Sequence, residues 1–423
     1  MIIFFLSLFG FYFFDYLSRF WIFFFLLFAL IFFFNMEFYY DGIFFLDYFR
    51  ILMVFLCVFL LLGLLFVEKR VGGLSVFLIM LFLLISCFMF DNYIYFYISF
   101  EIIFIFMFVY LLEFRESPWR FQASFYMFFY TLVFSFPFLL FLIYIYTTRW
   151  GVRFFFFEHS YSTLSYLVFM VFIIKLPLYG VHIWLPKAHV EATVRGSIVL
   201  AGVFLKIGGY GFYRFFPLVI NFFNFRRVFV NFVFYLRLFG GVLVSLVCLR
   251  QRDLKILIAY SSVVHMRVLI LGLLRISILG VYGSLIVMFS HGLVSPLIFY
   301  LMNLIYRGLS TRSLIVLKGI LVINPLFVMF WFFCCFMNLG VPPFFSFFGE
   351  VLIFMTLGGF IFVNLIFFSL FIFFVGVYCV YRYVRVIHGS SLYKLRFIFY
   401  FKYRFFCLYL IYYVVFFRFF CVI

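Results

Sequence analysis

An all-α polytopic membrane protein is the fold class this sequence predicts, and three observations predict it. Of the 423 residues, 70% are hydrophobic and 10% charged, against about 45–50% and about 25% in a soluble domain, so there is too little polar surface to face water. Charge-poor stretches recur along the whole length, separated by short polar punctuation. Those Phe- and Leu-rich runs lack the period-two alternation of a membrane barrel. In lipid every backbone group must be paired internally, which leaves helices. At about 20 apolar residues plus a turn per crossing, the length allows roughly fourteen spans. Net charge is +18, from 31 basic and 13 acidic residues, yet the hydrophobic content excludes a disordered or nucleic-acid-binding chain.

Taken in order, the spans fall near 2–14, 20–36, 48–67, 73–90, 93–112, 121–147, 164–186, 194–213, 228–249, 254–274, 277–303, 319–348, 350–381 and 404–422. Met1–Phe14 lacks a basic leader and a small-residue cleavage site, so a span is expected there and not a removed signal. Lys69 and Arg70, Arg115 and Arg120, Arg250 to Lys255, Arg307 to Lys318, and the stretch from Arg382 to Arg404 fall in alternate connections. Basic residues concentrate on the cytoplasmic or matrix side, so those connections are expected to share it, with both termini opposite. The eight cysteines all lie in apolar runs without a Cys-x-x-Cys spacing; they are expected to be buried thiols and not metal ligands.

Ionisable residues inside apolar spans are where chemistry is expected. A charge at mid-bilayer costs at least about 2.5–3.5 kcal/mol, so each one needs a reason. Beyond Thr193 the only acids are Asp253, in a basic connection, and Glu350; Glu101 is the counterpart in the first half. Three of eight lysines, Lys175, Lys187 and Lys206, crowd one block, and Lys175 and Lys206 are embedded in apolar runs. Arginine is commoner but stays charged, whereas a buried lysine can surrender its proton, so a site that must release and regain protons calls for lysine, histidine or a carboxylate. Lys187 fits an interfacial, snorkelling lysine equally well.

Two spans carry helix breakers beside these groups: Lys175-Leu-Pro177 with Leu185-Pro186, and Gly340-Val-Pro342-Pro343 before Glu350. Proline frees backbone carbonyls that lipid cannot satisfy, and paired broken helices near charges point to an ion pathway. A plain packing kink is the competing reading for either one alone. His182, His189, His265 and His291 lie in or beside apolar spans. They are either satisfied core groups or links of a relay, and their irregular spacing gives little support for a haem.

The run Lys175-Leu-Pro-Leu-Tyr-Gly-Val-His-Ile-Trp-Leu-Pro-Lys-Ala-His-Val-Glu-Ala192, followed by Leu205-Lys-Ile-Gly-Gly-Tyr-Gly211, closely resembles the chain 4 family of NADH–ubiquinone oxidoreductase, the antiporter-like membrane subunits of mitochondrial respiratory complex I. Cys248-Leu-Arg-Gln-Arg-Asp-Leu-Lys255, Ala259-Tyr-Ser-Ser262 with His265-Met266, Ser290-His-Gly-Leu293, and Val341-Pro-Pro343 through Gly349-Glu350 extend the likeness over about 40–355. The resemblance implies fourteen helices in a single transmembrane domain over 1–423. N-terminal helices to 70 would precede two inverted five-helix repeats, 73–213 and 228–381, each with one discontinuous helix, and a C-terminal helix at 404–423 would follow. It also implies a multi-pass place in the mitochondrial inner membrane, among lipids and the neighbouring antiporter-like chains 2 and 5. This chain would hold no cofactor; NADH, FMN, iron–sulfur clusters and ubiquinone would belong to other subunits.

By motif, the resemblance assigns a proton relay to Glu101, Lys175, Lys206, His265, His291 and Glu350. Glu101 would pair with Lys175, Lys206 would be the central carrier, and the two histidines would lead to Glu350. Several positions depart from the family's pattern: Thr193 stands where proline is usual, Arg195 and Arg267 replace small residues, Phe134 replaces a glycine, and a proline is absent near Phe106. A free-standing cation/proton antiporter and a structural membrane spacer are the alternatives. Activity of the lone chain after reconstitution would mark the first, and indifference of pumping to loss of Lys206 the second.

Overall fold

The computed structural model describes residues 39–40, 45–67, 74–113, 118–148, 165–216, 227–274, 277–358 and 362–389. The spans expected at 2–14, 20–36 and 404–422 lie outside them. Two short antiparallel strands, β1 (Tyr39–Tyr40) and β2 (Phe45–Leu46), come first, and every later named element among the described residues is a helix. Among the described residues seven helices are long and apolar enough to cross a membrane. The chain divides into two compact units, 1–107 with 145–156, and 108–144 with 157–423.

In the first unit α1 (Tyr48–Val67) packs on α2 (Leu74–Met89). A buried ion pair that sequence reading did not anticipate locks its base: Arg50 Nη2 donates to Asp91 Oδ1 at 3.1 Å, and Nη1 to the Met89 carbonyl at 3.3 Å. Helix α3 (Tyr93–Glu113) carries Glu101, which is half-buried.

Most of the second unit is a bundle around α7 (Val194–Arg214), α9 (Leu254–Leu274) and α10 (Ile278–Leu309), whose residues are almost all buried within the protein. Helix α4 (Pro118–Thr148) instead turns Phe121, Phe129, Val133, Phe136 and Leu140 outward. α14 (Phe362–Ile387) does the same with Phe373, Val377, Val380 and Val384, as lipid-facing helices must. Helix α8 (Arg227–Arg250) packs between α9 and α14.

Both breaks expected from the prolines exist, with shifted boundaries. The first span is split into α5 (Ser165–Lys175) and α6 (Trp184–Glu191). Pro177 lies in the break, but Pro186 does not interrupt anything: it sits in the first turn of α6, where a missing N–H costs nothing. The second break separates α12 (Pro325–Leu339) from α13 (Phe345–Gly358), after the short α11 (Ile320–Ile323). The spans expected at 319–348 and 350–381 are therefore re-divided: α13 completes the broken helix, and α14 is the next one. Unbroken hydrophobicity hid the division between α13 and α14.

Caps explain where several helices start. Asn324 Oδ1 accepts from Phe327 N at 3.1 Å with Pro325 as the first helical residue, and Ser277 Oγ accepts from Gly280 N at 3.1 Å. Thr193, the departure from proline, caps α7 by accepting from Gly196 N at 3.4 Å, and its hydroxyl also meets Tyr110 Oη. A threonine N-cap is worth about 1 kcal/mol, which offsets the lost rigidity of proline.

At one end of the bundle the basic connections are stitched together. Leu254 N donates to the Arg312 carbonyl at 3.0 Å and Leu314 N to the Arg252 carbonyl at 2.8 Å, around a bridge between Asp253 and Ser313. Gly389 abuts the side chain of Lys318. The connections 250–255 and 307–318 and residues 382–389 thus lie at one end, as the charge distribution predicts.

Candidate functional site

Inside α7 the residues Leu200–Phe204 form a π-helical turn, a widening often found at functional positions. Within it the Ala201 carbonyl accepts from Lys206 Nζ, and from Ser295 Oγ of α10 at 3.4 Å. Lys206 is fully buried, and its Nζ also lies 2.9 Å from Nδ1 of His291, on α10. An ammonium surrounded by hydrocarbon would be too costly to keep, so these polar contacts hold it there.

The line continues across the bundle. The rings of His291 and His265 (α9) have centroids 5.7 Å apart, and His265 Nδ1 lies 3.7 Å from Glu350 Oε1. That last separation is too long for a direct hydrogen bond. A cavity of about 10 Å³ opens among His265, His291, Ser290, Asn338, Ser346 and Glu350, the size of one water molecule with polar partners enough to hold it. His265 Nε2 faces Tyr378 Oη of α14 at 3.4 Å, an extension that no sequence signal marked.

The second break positions Glu350. Gly340, at φ +74°, ends α12 in the left-handed conformation that suits glycine. A Cβ added there would stand 3.0 Å from Glu350 Oε2, so the carboxylate rests against the broken backbone. Ser346 Oγ donates to the Met337 carbonyl at 2.7 Å, satisfying one acceptor that the break exposes.

The first break positions Lys175. It is the last residue of α5, where the helix dipole favours a cation, and it is buried. A Cβ on Gly208 would lie 3.3 Å from Lys175 Cβ, so α5 and α7 touch backbone to side chain at this level. Glu101 stands on α3, whose first part belongs to the other compact unit. Lys187 is half-buried and lies over the ring of Tyr126 at 4.2 Å.

Three deeply buried arginines stand outside the relay expected from the sequence, Arg267 having been noted there only as a replacement for a small residue. Arg237, Arg267 and Arg382 are at most 1% exposed. Arg267 lies over Tyr179 at 5.6 Å and Arg382 over Trp331 at 6.0 Å. Among the described residues the guanidinium nitrogens of Arg237 and Arg267 have no hydrogen-bond acceptor, and each is a charged neighbour of the other. Their place midway along apolar runs was the available signal. Also among the described residues, no group of three or more His, Cys, Asp or Glu side chains could hold a metal ion.

Comparison with known proteins accounts for the arrangement. Residues 91–377 match the family described as NADH:quinone oxidoreductase/Mrp antiporter, TM. The NADH-ubiquinone oxidoreductase chain 4 of Ceratitis capitata is 37% identical over 317 residues, covering 74% of this chain and 70% of that one. The Aedes aegypti chain 4 is 38% identical over 301 residues, covering 70% and 66%. A chain of respiratory complex I from Thermus thermophilus with bound NADH shares the fold at TM-score 0.73 and 22% identity, covering 87% of this chain and 80% of that one. With an antiporter-like fold and this extent of likeness, the chain belongs to the NADH-ubiquinone oxidoreductase chain 4 family, the antiporter-like membrane subunits of complex I.

Proposed function

We propose that this complex I subunit translocates protons through the file Lys206, His291, His265 and Glu350, without redox chemistry of its own. The observation that carries the reading is the succession of closely spaced titratable groups: 2.9 Å from Lys206 to His291, 5.7 Å between imidazole centroids, and 3.7 Å from His265 to Glu350. Lys206 would give its proton to His291, and a water in the adjoining cavity would help carry it past His265 to Glu350. Each charge moved across the membrane works against about 2.3 kcal/mol per 100 mV, so the driving force must arrive from quinone reduction elsewhere in the complex.

In the same reading, as the family resemblance implies, Glu101 and Lys175 would be the controlling ion pair. Releasing Lys175 toward Lys206 would favour discharge of Lys206: at about 7 Å and an effective dielectric near 20 the repulsion is roughly 2.4 kcal/mol. The chain would have fourteen spans, ten of them in two inverted five-helix repeats, 73–213 and 228–381, in the mitochondrial inner membrane beside chains 2 and 5, with no resident cofactor. Lys206→Met in the assembled complex tests this. Proton uptake per NADH oxidised should fall by this subunit's share while assembly persists; an unchanged ratio would refute the relay.

A further inference from the structure

The file from Lys206 to Glu350 has no way to reach water through Lys206 itself, which is 0% exposed. One buried titratable side chain remains unused beside it. His189, on α6, is also 0% exposed, and among the described residues neither of its ring nitrogens has a hydrogen-bond partner. Its ring lies flat on Phe299 of α10, 4.9 Å between centroids and 10° between planes. The charged groups facing it are Lys255 and Lys206, and His291 counts it among its own neighbours.

Lys255 marks the way out. It begins α9 in the basic connection stitched to 312–314, and its Nζ donates to the carbonyls of Val190 at 2.8 Å and Ala192 at 2.7 Å. Those carbonyls flank the end of α6, so the ammonium fixes the backbone immediately after His189 and caps the half-helix electrostatically. On the inner side, Ser295 Oγ bridges the Ala201 and His291 carbonyls at 3.4 and 2.7 Å, one turn of α10 from Phe299. Polar groups thus run from Lys255 past His189 to Lys206.

We propose that His189 is the loading residue, passing protons between the Lys255 end of the bundle and the Lys206 amine; this rests on the relay proposed above. A proton binds one ring nitrogen from the Lys255 side while the other nitrogen releases its own toward an unprotonated Lys206. One charge moves and the ring ends neutral. Neither nitrogen is tied to a protein partner that would freeze the tautomer, which is what such an exchange needs. A merely structural His189 would work through its stacking on Phe299, and a phenyl ring would serve there equally well.

His189→Phe and Lys206→Met, alone and together, are to be compared in the assembled complex in proteoliposomes, reading protons taken up per NADH oxidised. His189→Phe should lower the ratio as far as Lys206→Met, with no further loss in the double variant. A normal ratio in His189→Phe alongside a lowered one in Lys206→Met would overturn the loading role and leave the relay standing; normal ratios in both would remove the two together. Should the phenylalanine variant fail to assemble, His189→Gln keeps polarity without proton exchange and should show the same loss. A high-resolution map of the unaltered complex gives an independent reading: ordered waters at both ring nitrogens are expected, and a dry apolar wall around the imidazole would overturn the proposal.

Discussion

Nζ of Lys206 and Nδ1 of His291 face each other at 2.9 Å across the α7–α10 interface, fully enclosed by protein. Lysine can give up its proton in such a setting and arginine cannot. Lys206→Arg should therefore stop this subunit's proton transfer as completely as Lys206→Met, although it keeps the charge. Proton uptake per NADH in proteoliposomes checks this, and full stoichiometry with arginine would rule out a carrier role.

Glu350 depends on the backbone it touches. Gly340→Ala has to hold a side chain at φ +74° and press a methyl to within 3.0 Å of Glu350 Oε2. Left-handed strain costs about 1–3 kcal/mol, and the carboxylate must shift. Pumping should fall toward the level of Glu350→Gln while most of the protein stays folded, measured as the proton-to-NADH ratio beside the yield of assembled complex.

The capping role of Thr193 predicts a smaller, purely structural effect. Thr193→Val removes the acceptor for Gly196 N and should lower stability by about 1 kcal/mol, read as a drop in the thermal midpoint of the complex. Thr193→Ser should restore it.

Arg267 is a case where removing a charge should help. The penalty for a buried, acceptor-less guanidinium is several kcal/mol. An aromatic neighbour such as Tyr179 returns about 2 kcal/mol of this, and Arg237 adds repulsion. Arg267→Leu should therefore raise the thermal midpoint, by at least about 1 kcal/mol in stability. A lowered midpoint would mean that the guanidinium has an acceptor in the assembled complex.

Helix contacts give the last prediction. A methyl on Gly280 would meet the Gly272 carbonyl at 2.5 Å, backbone against backbone, whereas one on Gly209 would meet only the flexible end of Met288. Overpacking of the first kind costs about 1–3 kcal/mol, while methionine can swing aside. Gly280→Ala should reduce assembled complex markedly and Gly209→Ala hardly at all, as quantified on native gels.

The spans were legible because lipid imposes one rule on every backbone group, and charges punctuate the runs between them. The rule fails where hydrophobicity is continuous. Nothing in Phe345 to Ile387 marks where α13 ends and α14 begins, so the two were divided wrongly. Lys206, His265, His291 and Glu350 stood out because an ionisable group in apolar sequence is expensive, and the fold brings these four into one file. Tyr378 did not stand out, because tyrosine is common throughout the chain and only three-dimensional packing sets one hydroxyl beside His265. Arg382 was read as the start of a basic connection and Arg237 was not singled out, so their burial emerged only from the packing.

The π-helical turn at Leu200–Phe204 acts on everything that follows it along α7. Each residue advances an α-helix by about 100°. Deleting one residue from this turn would swing the Lys206 side chain by about that angle, aiming it away from α10 with every amino acid of the file still present. Chemical identity is then only half of what makes the lysine useful; the other half is azimuth, and a single surplus residue upstream sets it.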